Sequence, residues 1–432
     1  MNLIALYYGV GSNVLGNILM LGATLLLTRI LDATEFGQFR VGSSFAILMI
    51  PFLALGGERL LSRLVQSNNN NANAIASVIV TVASVVILGL VLLAAAYPVL
   101  SDILFAGQIP PSVYYICISL IPVTIAYNLA NTLWRHLGSS SKAQVHLNFT
   151  QRLIRAPMLI TLATAWPSAI SASLAMLAAQ TLSLFQARRY LSRFPLRSVG
   201  SISSAFRTHF RELGLIGIPV AIMAAIDRLD VLLINAVMGV EVAGEYDLIY
   251  LLSLTAMFPA MAMSKTSEPF LFGLREEAAR VVRLKQLQTR TFLMSCLAVA
   301  GIGLSAPILQ KFLGNAGPDF ASAALVLAAG LAFSSVHGPV IEYLQINGKT
   351  RISLGFVVAF LIVFLIMKYL AAENGSLILV AALAGFFYFT MRLAMSIYIY
   401  KSDGITMATP STIALSFAGY AAVIMFVWRD WA

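Results

Sequence analysis

Apolar runs of roughly 18 or more residues recur along the whole chain, separated by short polar connections. At about 1.5 Å rise per residue, a helix of that length crosses a hydrocarbon core about 30 Å thick. The pattern predicts about 13 such spans, at 4–30, 38–60, 73–97, 111–135, 143–166, 168–190, 212–238, 246–274, 291–313, 319–346, 350–372, 375–400 and 410–428. The first follows a nearly uncharged Met1-Asn2 and shows no small-residue cleavage site after a short apolar core, so it is expected to be retained and not removed as a signal peptide.

The connections add an orientation. Of the 28 basic residues, 18 fall on connections that share one side, among them Arg59, Arg63, Arg135, Lys142, Arg188, Arg211, Arg290 and Lys349. The opposite side holds 5: Arg29, Arg40, Lys311, Lys368 and Arg429. The positive-inside rule then places the N-terminus in the cytoplasm, and an odd number of spans places Ala432 outside.

Composition excludes a soluble domain: 59% of the 432 residues are apolar and only 11% charged, with mean hydropathy +0.86. The net charge of +10 and pI near 9.7 follow from the basic connections. They suit membrane lipids with anionic headgroups as partners, and nucleic acid is not expected. Cys117 and Cys296 both lie inside predicted spans and suggest neither a disulfide framework nor a metal site.

A basic connection from Arg188 to Arg211 divides the chain near its middle. Glu35-Phe36-Gly37-Gln38-Phe39 after the first span and Val242-Ala243-Gly244-Glu245-Tyr246 after the seventh share a glycine, one variable residue and an aromatic, at an offset of 244 − 37 = 207. Glycine permits a tight reversal and the aromatic suits the headgroup interface. The expected architecture is all-α: a six-helix lobe over 1–200, a parallel six-helix repeat over 201–402 about an axis along the membrane normal, a central cavity, and an added helix in 403–432.

The runs Leu25-Leu26-Leu27-Thr28-Arg29-Ile30-Leu31 and Asp227-Arg228-Leu229-Asp230-Val231-Leu232-Leu233, each followed by its glycine–aromatic segment, resemble the polysaccharide transporter branch of the multidrug/oligosaccharidyl-lipid/polysaccharide exporter superfamily. Tyr343-Leu344-Gln345-Ile346-Asn347-Gly348-Lys349-Thr350 is similar to that branch's segment leaving the tenth span. The resemblance covers about residues 5–400. It implies a Wzx-type flippase of the bacterial inner membrane that moves undecaprenyl-diphosphate-linked oligosaccharide, with a polysaccharide polymerase and a chain-length regulator as partners. The family usually has 12 or 14 spans, so a thirteenth departs from its pattern.

Charged groups inside membrane helices are costly and by default face a cavity or a partner. Asn148, Arg152 and Arg155 share one face of the fifth span at i, i+4 and i+7. A guanidinium fork binds phosphate oxygens bidentately, and amides match sugar hydroxyls. Asn128 and Asn131 on the fourth span and Asn13 and Asn17 on the first extend this candidate cavity set, which Arg29 joins. Helix-to-helix glue is the competing reading for Asn13 and Asn17, and Arg135 fits a snorkelling anchor. His146 and His337 read as satisfied core histidines, and Glu58 as structural.

In the second half Asp227, Arg228, Asp230, Lys265, Glu268 and Glu342 lie at membrane depth, as coupling sites for H+ or Na+ or as an internal ion-pair network. No cofactor, metal or catalytic constellation is expected, and no nucleotide-binding GxxxxGK[ST] motif occurs. An anionic headgroup could be driven outward by the membrane potential itself. The rival readings are a drug or metabolite antiporter, a lipid II flippase and, from another class, a membrane-embedded polysaccharide polymerase or ligase.

Overall fold

The computed structural model describes residues 3–66, 72–138, 140–192, 202–258, 277–314, 316–338, 340–347 and 349–429, and among them every regular element is helical. Among the described residues ten helices are long and apolar enough to cross a bilayer, which makes this a multi-pass membrane protein. Two of the other predicted spans fail that test for physical reasons. Within 143–166 the chain passes through a π turn, His146–Thr150, and its α-helical part, Gln151–Ala165, is only 15 residues long. The span 212–238 lies inside the 37-residue helix Ile202–Met238, where Asp227, Arg228 and Asp230 break the apolar run. The span 246–274 is described only to Phe258, as an α-helix to Leu254 followed by a 3₁₀ turn, Thr255–Met257, and the rest of it lies outside the described residues.

The first compact unit is Met1–Gly244. It contains α1 (Leu3–Ile30), α2 (Ala33–Ala54), α3 (Gly57–Gln66), α4 (Ala72–Ile103), α5 (Pro111–Leu137), α6 (Ser140–Val145), the π turn, α7 (Gln151–Ala165), α8 (Ala169–Leu191) and α9 (Ile202–Met238), and it takes in the start of α10 (Val240–Leu254). The second predicted span therefore ends at Ala54 and not at 60, because Leu55 and Gly56 take left-handed backbone angles (φ 48° and 72°). Glu58 consequently lies on the separate amphipathic helix α3, outside the membrane-spanning segment. α5 packs along α8, α2 and α4 pack on α9, and α7 lies between α1 and α8.

At one end of this unit α2 and α10 begin 207 residues apart, and they touch there. A Cβ on Gly37 would lie 2.1 Å from the backbone oxygen of Val240, and one on Gly244 would lie 2.8 Å from Cα of Gly37. Only glycine permits this approach. The hydroxyl of Thr34 donates to Glu241, again at an offset of 207. Gln108 ties the corner down: its Oε1 accepts from the Val240 amide at 2.7 Å, and its backbone oxygen accepts from Gln38 at 3.0 Å.

The second unit is Glu245–Ala432. Beyond the rest of α10, it holds α11 (Glu277–Leu313), α12 (Phe320–Ser334), α13 (Val340–Ile346), α14 (Thr350–Glu373), α15 (Leu377–Asp403) and α16 (Pro410–Arg429). The predicted single span 319–346 is broken: α12 passes into a 3₁₀ turn, Ser335–His337, and stops at Gly338 with φ 65°. Pro339 follows in the sequence and cannot donate to a continuing helix. α12 crosses α15 at bare backbone, since a Cβ on Gly330 would lie 2.4 Å from Cα of Gly385. α16 is the predicted thirteenth span, held by Tyr420, whose hydroxyl donates to the Ala382 carbonyl at 2.7 Å. A cavity of about 460 Å³ between α12, α15 and α16 is walled by apolar side chains such as Leu379, Leu383 and Phe386.

Candidate functional site

The polar groups of the first unit gather around α7, and its two arginines turn to different neighbours. Arg152 reaches α1, where its Nη1 donates to the Asn13 backbone oxygen at 3.0 Å and to Asn13 Oδ1 at 3.3 Å. Arg155 reaches α8, where its Nη2 donates to Gln180 Oε1 at 2.7 Å. Gln151 packs its amide beside the same Gln180. The face shared by Asn148, Arg152 and Arg155 in a regular α-helix is altered because Asn148 stands in the π turn, which inserts a residue into the 3.6-residue period. Asn148 itself is buried.

Arg155 lines a cavity of about 380 Å³ with Glu58, Arg59, Thr124 and Asn128 as its other polar walls, and with Ile47, Pro51, Leu120 and Met176 among its apolar ones. Burial pushes the Glu58 carboxyl above the usual carboxylate range, while a hydrogen bond from Asn128 and the charges of Arg135 and Arg59 pull it back. Arg155 Nε is buried with no hydrogen-bond partner. A buried guanidinium nitrogen without an acceptor is costly, so the site is electrostatically prepared for an added oxygen.

The remaining predicted residues fall around this centre or away from it. Asn17 donates to Asn13 Oδ1 at 3.3 Å, so both asparagines of α1 belong to the Arg152 contact. Asn131 donates to the Ala143 carbonyl at 3.1 Å and ties α5 to α6. Arg135 donates to Thr132 of its own helix at 3.2 Å. Arg29 is exposed in the last turn of α1, about 18 Å along the helix from Asn17, and is not part of the cluster. His146 is bonded at both nitrogens, to Tyr127 Oη at 3.0 Å and Gln186 Oε1 at 2.6 Å. On α9 Asp230 is buried and Arg228 half-buried. Lys265 and Glu268, with the side chains of Asp227 and Glu342, lie outside the described residues. Gln180 is the residue that sequence reasoning passed over, although an uncharged amide in the apolar run 168–190 is itself a signal of a buried polar partner.

The model of the family described as "Polysaccharide biosynthesis protein" matches residues 6–272, more than half of the chain. The chain belongs to the polysaccharide biosynthesis protein family. No curated protein sequence matches it significantly. Among solved structures this family member is similar to the lipid II flippase MurJ in an inward closed conformation, with 14% identity, TM-score 0.70, and 97% of this chain and 98% of that one covered. It is also similar to an inward-facing multidrug resistance MATE family transporter of the MOP superfamily, with 13% identity, TM-score 0.68, and 95% and 96% covered. A MOP superfamily transporter from Pyrococcus furiosus matches with 14% identity, TM-score 0.61, and 94% and 95% covered. At these identities the likeness establishes the fold: this polysaccharide biosynthesis family member has the all-helical fold of MOP superfamily transporters.

Proposed function

We propose that this protein is a flippase that carries undecaprenyl-diphosphate-linked oligosaccharide from the cytoplasmic to the periplasmic leaflet of the bacterial inner membrane, by alternating access and for surface polysaccharide synthesis. The observation that carries the reading is the pair of arginines on α7, a helix packed between the apolar helices α1 and α8, each held by an amide, Asn13 or Gln180, and neither in an ion pair among the described residues. Two cations held by neutral groups in a low-dielectric setting call for an anion, and a diphosphate supplies it. Asn128 beside Arg155 supplies an amide for sugar hydroxyls. A drug antiporter for cations would want carboxylates in excess in that place, and the Arg155 cavity sets one carboxyl, Glu58, against two guanidinium groups, Arg59 and Arg155.

The polyprenyl tail stays in hydrocarbon while the headgroup crosses within the protein. With about two negative charges, outward movement is favoured by roughly 2.3 kcal/mol per charge per 100 mV of inside-negative potential. The reading takes the N-terminus as cytoplasmic, 1–200 and 201–402 as the two moving lobes, and 403–432 as an added helix. The acidic residues of the second half are its candidate H+ or Na+ coupling groups, no cofactor takes part, and a polymerase and a chain-length regulator receive the product.

The test is surface glycan in cells that lack their own flippase, with the amount of membrane-inserted protein measured in parallel. Arg152→Ala with Arg155→Ala should lower glycan by about tenfold or more, and Arg155→Lys should also fall well below wild type because a point charge does not replace the fork. Undiminished glycan from the double variant would refute the reading. Rescue of cells depleted of their lipid II flippase, without rescue of surface glycan, would replace it by the lipid II alternative.

A further inference from the structure

α1 meets the arginine-bearing segment at a point where one residue contributes no side chain. A Cβ built on Gly16 would lie 2.0 Å from the backbone oxygen of Asn148, 2.8 Å from Cδ of Arg152 and 3.0 Å from its Nη1. The first atom belongs to the π turn and cannot move without the helix, and the other two belong to the arginine itself. Three residues earlier on α1, and so on the same helical face, Asn13 accepts from Arg152 Nη1 with both its backbone and its side-chain oxygen. Asn17 donates to that side-chain oxygen and fixes its orientation. Gly16 thus vacates the space through which the arginine stem passes, and Asn13 holds its end.

A guanidinium offers five N–H donors in a planar fork. The bonds to Asn13 use one nitrogen, Nη1. The edge formed by Nε and Nη2 keeps the geometry that binds two phosphate oxygens together.

We propose that Gly16 and Asn13 are positioning residues that fix Arg152 on α1 by Nη1, so that its Nε–Nη2 edge is set for the diphosphate of the lipid-linked substrate. The inference rests on the reading of Arg152 as a diphosphate ligand. It assigns a role in recognition to a residue with no side chain, and it moves Asn13 from a contact of the sugar to a holder of the arginine.

The test uses the full-length protein purified in detergent, undecaprenyl diphosphate as the probe, and equilibrium affinity and melting temperature as readouts. Arg152→Ala and Gly16→Ala are each expected to weaken binding about tenfold or more, the scale of one lost hydrogen bond to a charged group. The double variant should bind no more weakly than Arg152→Ala alone, because Gly16 acts through that side chain. A purely structural glycine would instead give independent losses that multiply, and that result overturns the proposal. So does wild-type affinity in Gly16→Ala while Arg152→Ala is impaired. Should Gly16→Ala not fold, Asn13→Asp decides: it adds no volume and turns the contact into an ion pair, so it should weaken binding with an unchanged or raised melting temperature, and undiminished affinity there overturns the proposal. If Arg152→Ala itself binds as tightly as wild type, the parent reading fails, and this inference with it.

Discussion

Two cavities of similar size lie one in each unit, and their walls differ in kind. The first, about 380 Å³, is ringed by Glu58, Arg59, Asn128 and Arg155. The second, about 460 Å³, is lined by no charged side chain among the described residues, and its Asn374 and Ser376 are bonded to nearby backbone: Asn374 donates to the Leu370 carbonyl at 2.8 Å and Ser376 accepts from the Leu379 amide at 3.2 Å. Both units are built of helices with the apolar composition of membrane spans, so the fold tolerates either lining. The difference teaches that the polar groups of the first cavity are not needed to assemble such a unit. Buried ionic groups are weak contributors to stability, and in the proposed function those of the first unit serve the diphosphate.

The comparison can be broken most forcefully in the second unit. Gly330→Val should remove folded protein from the membrane, since a branched side chain cannot fit 2.4 Å from the Gly385 backbone, and overpacking of this kind costs about 1–3 kcal/mol or more. Protein yield and the melting temperature in detergent measure it. Normal yield with lost export would place function, and not only packing, in the α12–α15 crossing. Gln180→Leu in the first unit sharpens the contrast from the other side. It strips Arg155 Nη2 of its acceptor, a loss of about 1.5–3 kcal/mol, and is expected to lower glycan export several-fold while the protein still inserts. An unchanged export level would mean that Arg155 does not depend on α8 for its placement. The smallest effect is expected from Tyr420→Phe, which deletes one neutral hydrogen bond to Ala382 worth about 1 kcal/mol. Melting should fall by a few degrees with export intact, and a loss of export would give α16 a part in transport.

Much of the frame was legible in the sequence because membrane spans are written in bulk composition. Helices such as Thr350–Glu373, Leu377–Asp403 and Pro410–Arg429 fall within a few residues of the predicted spans 350–372, 375–400 and 410–428. The arginines of α7 stood out for the opposite reason, as charges in an apolar run. The π turn at His146–Thr150 did not, because an inserted residue leaves the composition of a segment unchanged and only shifts which residues share a face. Gly16 was equally silent, since its importance lies in what approaches it from Asn148, 132 residues away in sequence (148 − 16). The predicted second span runs on to 60, across Gly56-Gly57-Glu58-Arg59, because its end is set by the left-handed backbone at Leu55 and Gly56, which composition does not record.

The meeting of α2 and α10 has a further implication for how such a protein diversifies. Thr34 and Glu241 are 207 residues apart, like the glycines beside them, and they face each other as donor and acceptor. In a homodimer, a residue on the two-fold axis meets its own copy, so two threonines or two glutamates would be paired there, and the second choice sets like charges against each other. A single chain is free of that restriction. Its two positions can each mutate alone, and a hydroxyl can be matched to a carboxylate where symmetry would have forbidden the pair.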